Sequence, residues 1–177
     1  HAHYRSFEAR DGESRGGFAR MAGRIGELRA RYGERVIYLD AGDLFQGTPF
    51  YHFYRGRLGM RLLDAMGCDA FALGNHELDD GYPNFLEVSG SVSFPRLCAN
   101  LNLPDGTPLL PATTRLSVAG FSVDVLGLIT SELDEVTGVV SRGELLLEDP
   151  ALALERWVTT REDEADLSVV LSHCGLG

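Results

Sequence analysis

The feature that most constrains the fold is the alternation of strand and helix patterns along the chain. Short apolar runs with the length of buried strands occur at residues 36–39, 70–73, near 96–100 and at 167–172. Between them, apolar residues recur at helical spacing over residues 16–32, 57–66 and 82–88, and from Asp149-Pro150 to about Glu162. Strands that alternate with helices predict an α/β fold with a partly parallel sheet.

One stretch departs from this alternation. Residues 113–118 and 121–129 flank Ala119-Gly120, which predicts an antiparallel β-hairpin. Residues 103–111 contain three prolines and one glycine and predict a loop before the hairpin. The chain has 177 residues, enough for one domain with a substantial core, and no repeat or domain boundary is visible. We therefore expect a single α/β domain.

Charge and composition narrow the possible functions. The formal net charge is −10, which argues against binding to a nucleic-acid polymer, because such proteins usually carry a basic stripe. A phosphate-bearing substrate would also be repelled unless bound divalent cations inverted the local sign. No apolar run reaches the length of a membrane span. The acidity is therefore compatible with a metal-dependent phosphatase and unfavourable for a metal-free one.

Polar side chains follow three of the predicted strands, directly or within a few residues. They are Asp43, Asn75, His76 and His173. In open α/β sheets, functional sites form beyond the carboxyl ends of the strands. We therefore expect these side chains, which are far apart in the sequence, to converge at one edge of the sheet.

The convergent residues are suited to metal chemistry. A carboxylate can bridge two cations, and Asp43 is the candidate for that role, while Asn75 offers an oxygen and His173 a nitrogen. This mixture suits Mn²⁺, Zn²⁺ or Fe better than Ca²⁺. Water held between two such ions becomes a nucleophile at neutral pH. His76 could protonate the leaving oxygen, and Asp79 could orient its ring.

Each of these residues also has a purely structural interpretation. Asp43 could cap a turn, and Asn75 could accept an unusual turn backbone. His173 could be a core histidine with satisfied hydrogen bonds. Asp79 and its neighbour Asp80 could each be a solvated loop acid. Cys174 lies beside His173 but is not expected to bind metal, because zinc sites that use cysteine usually contain several.

The segments around these residues resemble a known family. Gly42-Asp43, Gly74-Asn75-His76-Glu77 and Ser172-His173 match the signature of the calcineurin-like metallophosphoesterases. Longer strings that look like the 5′-nucleotidase branch of this family cover residues 16–20, 39–49, 72–81, 98–101 and 171–177. The resemblance implies an α/β protein with a four-layer α/β/β/α metallophosphatase domain and mixed sheets.

Carried over residue by residue, the resemblance also implies the roles in the site. It implies Asp43 as the bridging ligand and Asn75 and His173 as ligands of the second metal. It implies His76 and Asp79 as the catalytic dyad. No substrate-binding residue is indicated.

The chain departs from the family pattern at both ends. Only the histidine of the opening Asp-x-His motif is present, as His1, and the resemblance implies it as a metal ligand; His3 is not expected to be one. The family's opening aspartate and first strand, its final Gly-His-x-His motif and its C-terminal substrate domain have no counterpart in residues 1–177. We therefore expect residues 1–177 to form an incomplete metallophosphoesterase catalytic domain.

The resemblance implies an enzyme with two divalent metal ions (Mn, Zn or Fe) that releases phosphate from nucleotides. In this mechanism a metal-activated hydroxide attacks phosphorus and His76 assists the leaving group. A 2′,3′-cyclic phosphodiesterase, a UDP-sugar hydrolase and a sulfur–sulfur hydrolase are alternatives on the same fold, and a non-catalytic binding module is a further one. The expected partner is a nucleotide or another small phosphoester, and the family implies a periplasmic or extracellular location.

Overall fold

The structure, a computed structural model, describes residues 4–137, 143–161 and 165–175. The helices in these residues are α1 (Phe18–Tyr32), α2 (Pro49–Tyr54), α3 (Arg57–Ala65), α4 (Tyr82–Ser89), α5 (Leu133–Val136) and α6 (Pro150–Thr160). The strands are β1 (Phe7–Glu8), β2 (Ser14–Arg15), β3 (Leu39–Asp40), β4 (Ala70–Ala72), β5 (Arg96–Leu97), β6 (Leu101–Asn102), β7 (Thr113–Val118), β8 (Phe121–Ile129), β9 (Leu146–Leu147) and β10 (Leu167–His173). Two 3-10 turns span Gly33–Arg35 and His76–Leu78.

Two three-stranded sheets form the centre of the molecule. The first has the order β3-β4-β5 and is entirely parallel. The second has the order β10-β8-β7 and is mixed, because β10 runs parallel to β8 whereas β7 runs antiparallel to it. Two short antiparallel pairs, β1-β2 and β6-β9, lie outside these sheets.

The sheets and helices stack in four layers. Ala70 and Leu97 of the first sheet pack against Val123 and Val125 of the second. Leu126 and Leu128 point to the opposite face of β8, as strand periodicity requires, and pack against Ala153 of α6. The outer face of the first sheet is covered by α1, α3 and α4, which contribute Ile25, Leu63 and Phe85 to a shared core with Phe71. The predicted α/β/β/α architecture is confirmed.

The locally encoded elements match their predicted bounds closely. The hairpin strands β7 and β8 begin and end at the predicted residues. Helix α6 begins after Asp149, whose carboxylate accepts hydrogen bonds from the N–H groups of Ala151 (2.7 Å) and Leu152 (3.4 Å). It ends at Thr160, slightly before the predicted end near Glu162, which lies outside the described residues.

Two predicted strands differ from the structure. The strand predicted over residues 36–39 is reduced to Leu39–Asp40, although Ile37 still packs between the sheets without ladder bonds. The strand predicted near 96–100 is divided into β5 and β6. Between them, the N–H groups of Cys98 and Ala99 donate to the carbonyls of Pro111 and Gly127. The buried side chain of Asn100 donates to the carbonyls of Ile129 and Glu148 and accepts from the N–H of Ile129. These bonds replace a continuous ladder.

Candidate active site

The predicted site residues occupy one edge of the two sheets. Asp43 follows β3, Asn75 and His76 follow β4, and His173 is the last residue of β10. All of these strands end on the same side of the molecule, so the expected convergence occurs. His1 lies outside the described residues, and its role remains a prediction.

His173 makes the contacts that bring the predicted ligands together. Its Nδ1 lies 2.9 Å from the carbonyl oxygen of Ala41. Its Nε2 lies 3.0 Å from Oδ1 of Asn75 and 3.2 Å from Oδ1 of Asp43. A carbonyl oxygen can only accept, so Nδ1 carries a proton, and Nε2 of the neutral ring presents a lone pair to two oxygen atoms.

Three lone-pair atoms that face one another need a positive charge between them. A proton on Nε2 is one solution. Accordingly, the hydrogen bond with Asp43 raises the pKa of His173 although burial opposes this. Burial also favours the neutral form of Asp43, but hydrogen bonds from His173 and from the backbone of His76 outweigh it and lower the pKa of Asp43. The second solution is a divalent cation, for which a carboxylate oxygen, an amide oxygen and an imidazole nitrogen form a suitable donor set.

The residues present therefore fit a divalent cation. Across residues 4–137, 143–161 and 165–175 there is no cluster of three or more His, Cys, Asp or Glu side chains that could hold a metal. The convergent set consists of one Asp, one His and one Asn, and the predicted fourth ligand, His1, is not among these residues.

The loop that carries Asp43 depends on a close approach of two glycines. Asp43 has a φ of 63° and Gly42 a φ of 85°, so the chain turns sharply through the left-handed region. A Cβ on Gly42 would lie 2.4 Å from the backbone nitrogen of Gly74 and 2.5 Å from the carbonyl oxygen of Ala72. Glycine is therefore required to bring the Asp43 loop against the turn that carries Asn75.

Glu77 is a functional candidate that the sequence reasoning did not single out. Its side chain is fully buried and accepts hydrogen bonds from the backbone N–H groups of Asp43, Leu44, Phe45 and Gly74. Burial raises the pKa of Glu77 to about 7 and the charge of Asp43 acts in the same direction, while the backbone hydrogen bonds oppose both. The only signal in the sequence is an acidic residue inside the signature string.

Thr137 is a second residue without a predicted role. It is 1% exposed, and its hydroxyl donates to the backbone carbonyl of Asn75 at 3.2 Å. Because it comes from a segment distant in sequence, no local pattern identifies it. Its contact helps to fix the turn that presents the Asn75 side chain.

The 3-10 turn His76–Leu78 places the predicted dyad residues side by side. Nδ1 of His76 lies 2.9 Å from Oδ2 of Asp79, and both side chains are 18% exposed. The neighbouring Asp80 has different partners, since it accepts hydrogen bonds from the Tyr51 hydroxyl at 2.7 Å and from Arg55 at 2.6 Å. The geometry therefore pairs His76 with Asp79, and Asp80 anchors α2.

An open cavity adjoins this group. It has a volume of about 580 Å³ and extends from Asp43 and Asp40 to the Gly16-Gly17 turn and Phe18 at the start of α1. A cavity of this size can accommodate a small organic phosphate. Among the described residues, no helix is both long enough and apolar enough to cross a membrane.

Comparison with known proteins agrees with this geometry. The profile of the calcineurin-like phosphoesterase family matches residues 3–177. A 5′-nucleotidase from Diplobatis ommata is 36% identical over 171 residues, which cover 92% of this chain and 29% of that protein. The crystal structure of a 5′-nucleotidase precursor from Thermus thermophilus has a TM-score of 0.83 and 29% identity, covering 99% of this chain and 35% of the other.

A sulfate thiohydrolase, SoxB, from Thermus thermophilus has a TM-score of 0.84 at 23% identity, covering 94% of this chain and 32% of that one, and it shares the fold. The chain belongs to the calcineurin-like phosphoesterase family, and its relatives include several 5′-nucleotidases. The predicted family of phosphoric ester hydrolases is confirmed. The chain spans from 21% to 29% of the length of these curated relatives.

Proposed function

We propose that this protein is a metal-dependent phosphoester hydrolase that uses two divalent ions and acts on nucleotides in the manner of a 5′-nucleotidase. The observation that carries the proposal is the contact of Asp43, Asn75 and His173 through their donor atoms, beside the His76–Asp79 pair. The 36% identity with a 5′-nucleotidase supports nucleotides as the substrate class.

Each ligand has a distinct role in this proposal. Asp43 would be a ligand of both ions, Asn75 and His173 would hold the second, and His1 would contribute to the first. Mn, Zn or Fe is the proposed metal, because the set mixes oxygen with nitrogen. When bound, such ions activate a water molecule for attack on phosphorus and neutralise the phosphoryl oxygens. The hydrogen bond from His173 Nδ1 to the carbonyl of Ala41 fixes the imidazole with Nε2 toward the ligand oxygens.

His76 and Asp79 perform the proton transfer. The carboxylate of Asp79 accepts a hydrogen bond from Nδ1 of His76 and holds the ring in one orientation. The remaining nitrogen, Nε2, can donate a proton to the ester oxygen as its bond to phosphorus breaks. The nucleoside then leaves as a neutral alcohol, and His76 recovers its proton from solvent through the partly exposed cleft.

We also propose that residues 1–177 belong to the catalytic domain of the protein and that it acts in the periplasm or outside the cell. Both proposals are supported by the resemblance to the 5′-nucleotidase branch. The expected partner is a nucleotide or another small phosphoester.

The proposal is tested by incubating the purified protein with a panel of substrates, measuring phosphate release from the monophosphates and the specific hydrolysis product of every other substrate by chromatography. The panel contains nucleoside 5′-monophosphates, 2′,3′-cyclic nucleotides, a UDP-sugar and a sulfur–sulfur substrate. We expect release from the 5′-monophosphates that a chelator abolishes and that added Mn²⁺ or Zn²⁺ restores. Preferential hydrolysis of the cyclic nucleotides, the UDP-sugar or the sulfur–sulfur substrate would instead identify the protein as a cyclic phosphodiesterase, a UDP-sugar hydrolase or a sulfur–sulfur hydrolase, respectively. Absence of any metal-dependent hydrolysis would favour a binding module.

A further inference from the structure

The buried carboxylate of Glu77 joins two loops by four backbone hydrogen bonds. Oε1 accepts from the N–H groups of Leu44 at 2.7 Å and Phe45 at 3.1 Å. Oε2 accepts from those of Asp43 at 2.8 Å and Gly74 at 2.9 Å. The first three groups lie on the loop after β3 and the fourth lies on the turn after β4. One side chain therefore ties the two segments that carry Asp43 and Asn75.

These N–H groups converge because of the left-handed turn at Asp43. With a φ of 63° at that residue, the N–H groups of residues 43–45 point toward one place instead of toward a neighbouring strand. Successive N–H groups arranged in this way form a concave site for an anion. Here the anion is a side chain of the protein itself. Without it, these four N–H groups, three of which are buried, would lose their partner.

The clamped atoms adjoin the predicted metal ligands directly. Asp43 donates to Glu77 through its own backbone, and Gly74 immediately precedes Asn75. Glu77 is thus bonded to the backbone beside the two Oδ1 atoms, of Asp43 and Asn75, that face Nε2 of His173. These four hydrogen bonds are made to backbone groups and not to the ligand side chains. Glu77 can therefore affect the site only by fixing the backbone that carries the ligands.

We propose that Glu77 is a positioning residue whose four hydrogen bonds preorganise Asp43 and Asn75 for metal binding before any metal arrives. The proposal rests on the proposed metal-dependent function and identifies the residue that sets the spacing of its ligands. It distinguishes Glu77 from an ordinary buried acid, because a purely structural role would lower the stability of the domain without changing the metal affinity of the folded protein.

The substitution Glu77→Gln tests this with almost no change in volume. The amide NH₂ of glutamine would face two N–H donors in either orientation, so two of the four hydrogen bonds would be lost and replaced by donor–donor repulsion. We expect the apparent Kd for Mn²⁺ to rise about 10- to 100-fold, as for other residues that orient metal ligands. Glu87→Gln is the matched control, because the Glu87 side chain is 70% exposed and pairs with Arg57 on the surface. It should change the Kd less than about twofold.

The experiment measures Mn²⁺ affinity by chelator competition for wild type, E77Q and E87Q, at a temperature where circular dichroism shows all three to be folded. In parallel, hydrogen exchange of the Leu44 and Phe45 amides is measured in metal-free wild-type protein. We expect both amides to exchange at least about 100-fold more slowly than in an unstructured peptide. The hydrogen-exchange measurement tests preorganisation of the Asp43 loop even if E77Q does not fold.

Equal Mn²⁺ affinity in folded E77Q and wild type would overturn the proposal. So would rapid exchange of Leu44 and Phe45 in metal-free protein whose β8 amides remain protected. These outcomes are separate from those of the substrate assay. A protein that binds Mn²⁺ tightly through this site but hydrolyses no phosphoester would remove the proposed function and leave the role of Glu77 intact.

Discussion

The two central sheets differ in how their order is maintained. In the first sheet, β3, β4 and β5 contain two, three and two residues. In the second, β7, β8 and β10 contain six, nine and seven. Long strands are held by a repeated ladder of backbone hydrogen bonds, whereas short strands leave most of the neighbouring chain without one.

The loops of the first sheet are held by side chains instead. Glu77 accepts four backbone N–H bonds, Asp40 accepts one from Gly42, and Asp69 accepts one from Tyr38 at 2.7 Å. Because these strands are short, the loops that follow them can bend toward a ligand. The candidate site is formed by these loops. The consequence is that single substitutions should damage the first region more than the second.

The largest effect is expected from removing the proposed proton donor, which lies in the first region. His76→Ala should lower kcat about 10²- to 10⁴-fold, because protonation of the leaving oxygen is lost. Mn²⁺ affinity should stay within about threefold, since His76 is not a proposed ligand. Steady-state kinetics and metal titration measure both. His52→Ala is the control, because His52 is exposed on α2 and has no proposed role. Near-normal kcat in His76→Ala would contradict the assignment.

A steric change at the meeting point of the two loops should come next. The Cβ of Gly42→Ala would collide with the backbone of Gly74 and Ala72 at a residue with φ of 85°. We expect a loss of about 2–4 kcal/mol in the free energy of unfolding, because backbone atoms cannot rotate away. Urea unfolding measures this loss.

Gly23→Ala supplies the matched comparison for Gly42. Gly23 lies in α1, and a Cβ there would meet nothing within 4 Å. The same chemical change should therefore stabilise the protein by about 0.5–1 kcal/mol through helix propensity. If both substitutions had the same effect, the close approach of Gly42 to the Gly74 turn would not be the reason for glycine at that position.

The smallest effect is expected in the second sheet. Arg115 on β7 donates to Asp124 on β8 through Nε at 2.6 Å and through a terminal nitrogen at 2.8 Å. Asp124→Asn should lower the free energy of unfolding by only about 1 kcal/mol at pH 7, because the pair is partly exposed and the ladder persists. Activity should remain within about twofold of wild type, since the pair is remote from the site.

The pH dependence of the Asp124 effect has a defined sign. The hydrogen bonds from Arg115 hold the pKa of Asp124 below its ordinary value of 3.8. The stabilisation is therefore complete above pH 3.8 and is lost as the pH falls through the lower pKa of the folded state. Urea unfolding of wild type and Asp124→Asn at several pH values should show a difference that narrows below pH 3.8. A constant difference would mean that the ion pair is not its source.

The contrast between the regions also explains what could be predicted from the sequence. The bounds of β7 and β8 were predictable because alternation and the Ala119-Gly120 turn are local signals. The meeting of Asp43, Asn75 and His173 was predictable because the carboxyl ends of strands in α/β sheets face one edge. Whether these residues bind metal stays a prediction.

Other features depend on contacts that no local pattern records. The helix α2 was not predicted because its aromatic residues do not follow a buried stripe, and Phe53 is 77% exposed. The β6–β9 pair joins Leu101 to Leu147 across a long sequence separation with only two residues per strand. Glu77 can accept hydrogen bonds from the Asp43 loop because Asp43 has a positive φ. An aspartate in the sequence does not by itself predict a left-handed backbone conformation.

Elemental analysis of the purified protein and of its Asp43→Asn and His173→Ala variants is the best test of whether Asp43, Asn75 and His173 belong to a two-metal site. We expect close to two Mn, Zn or Fe ions per chain in the wild type and a clear loss in both variants. Wild-type protein that contains no metal, even after reconstitution with Mn²⁺ and Zn²⁺, would contradict it.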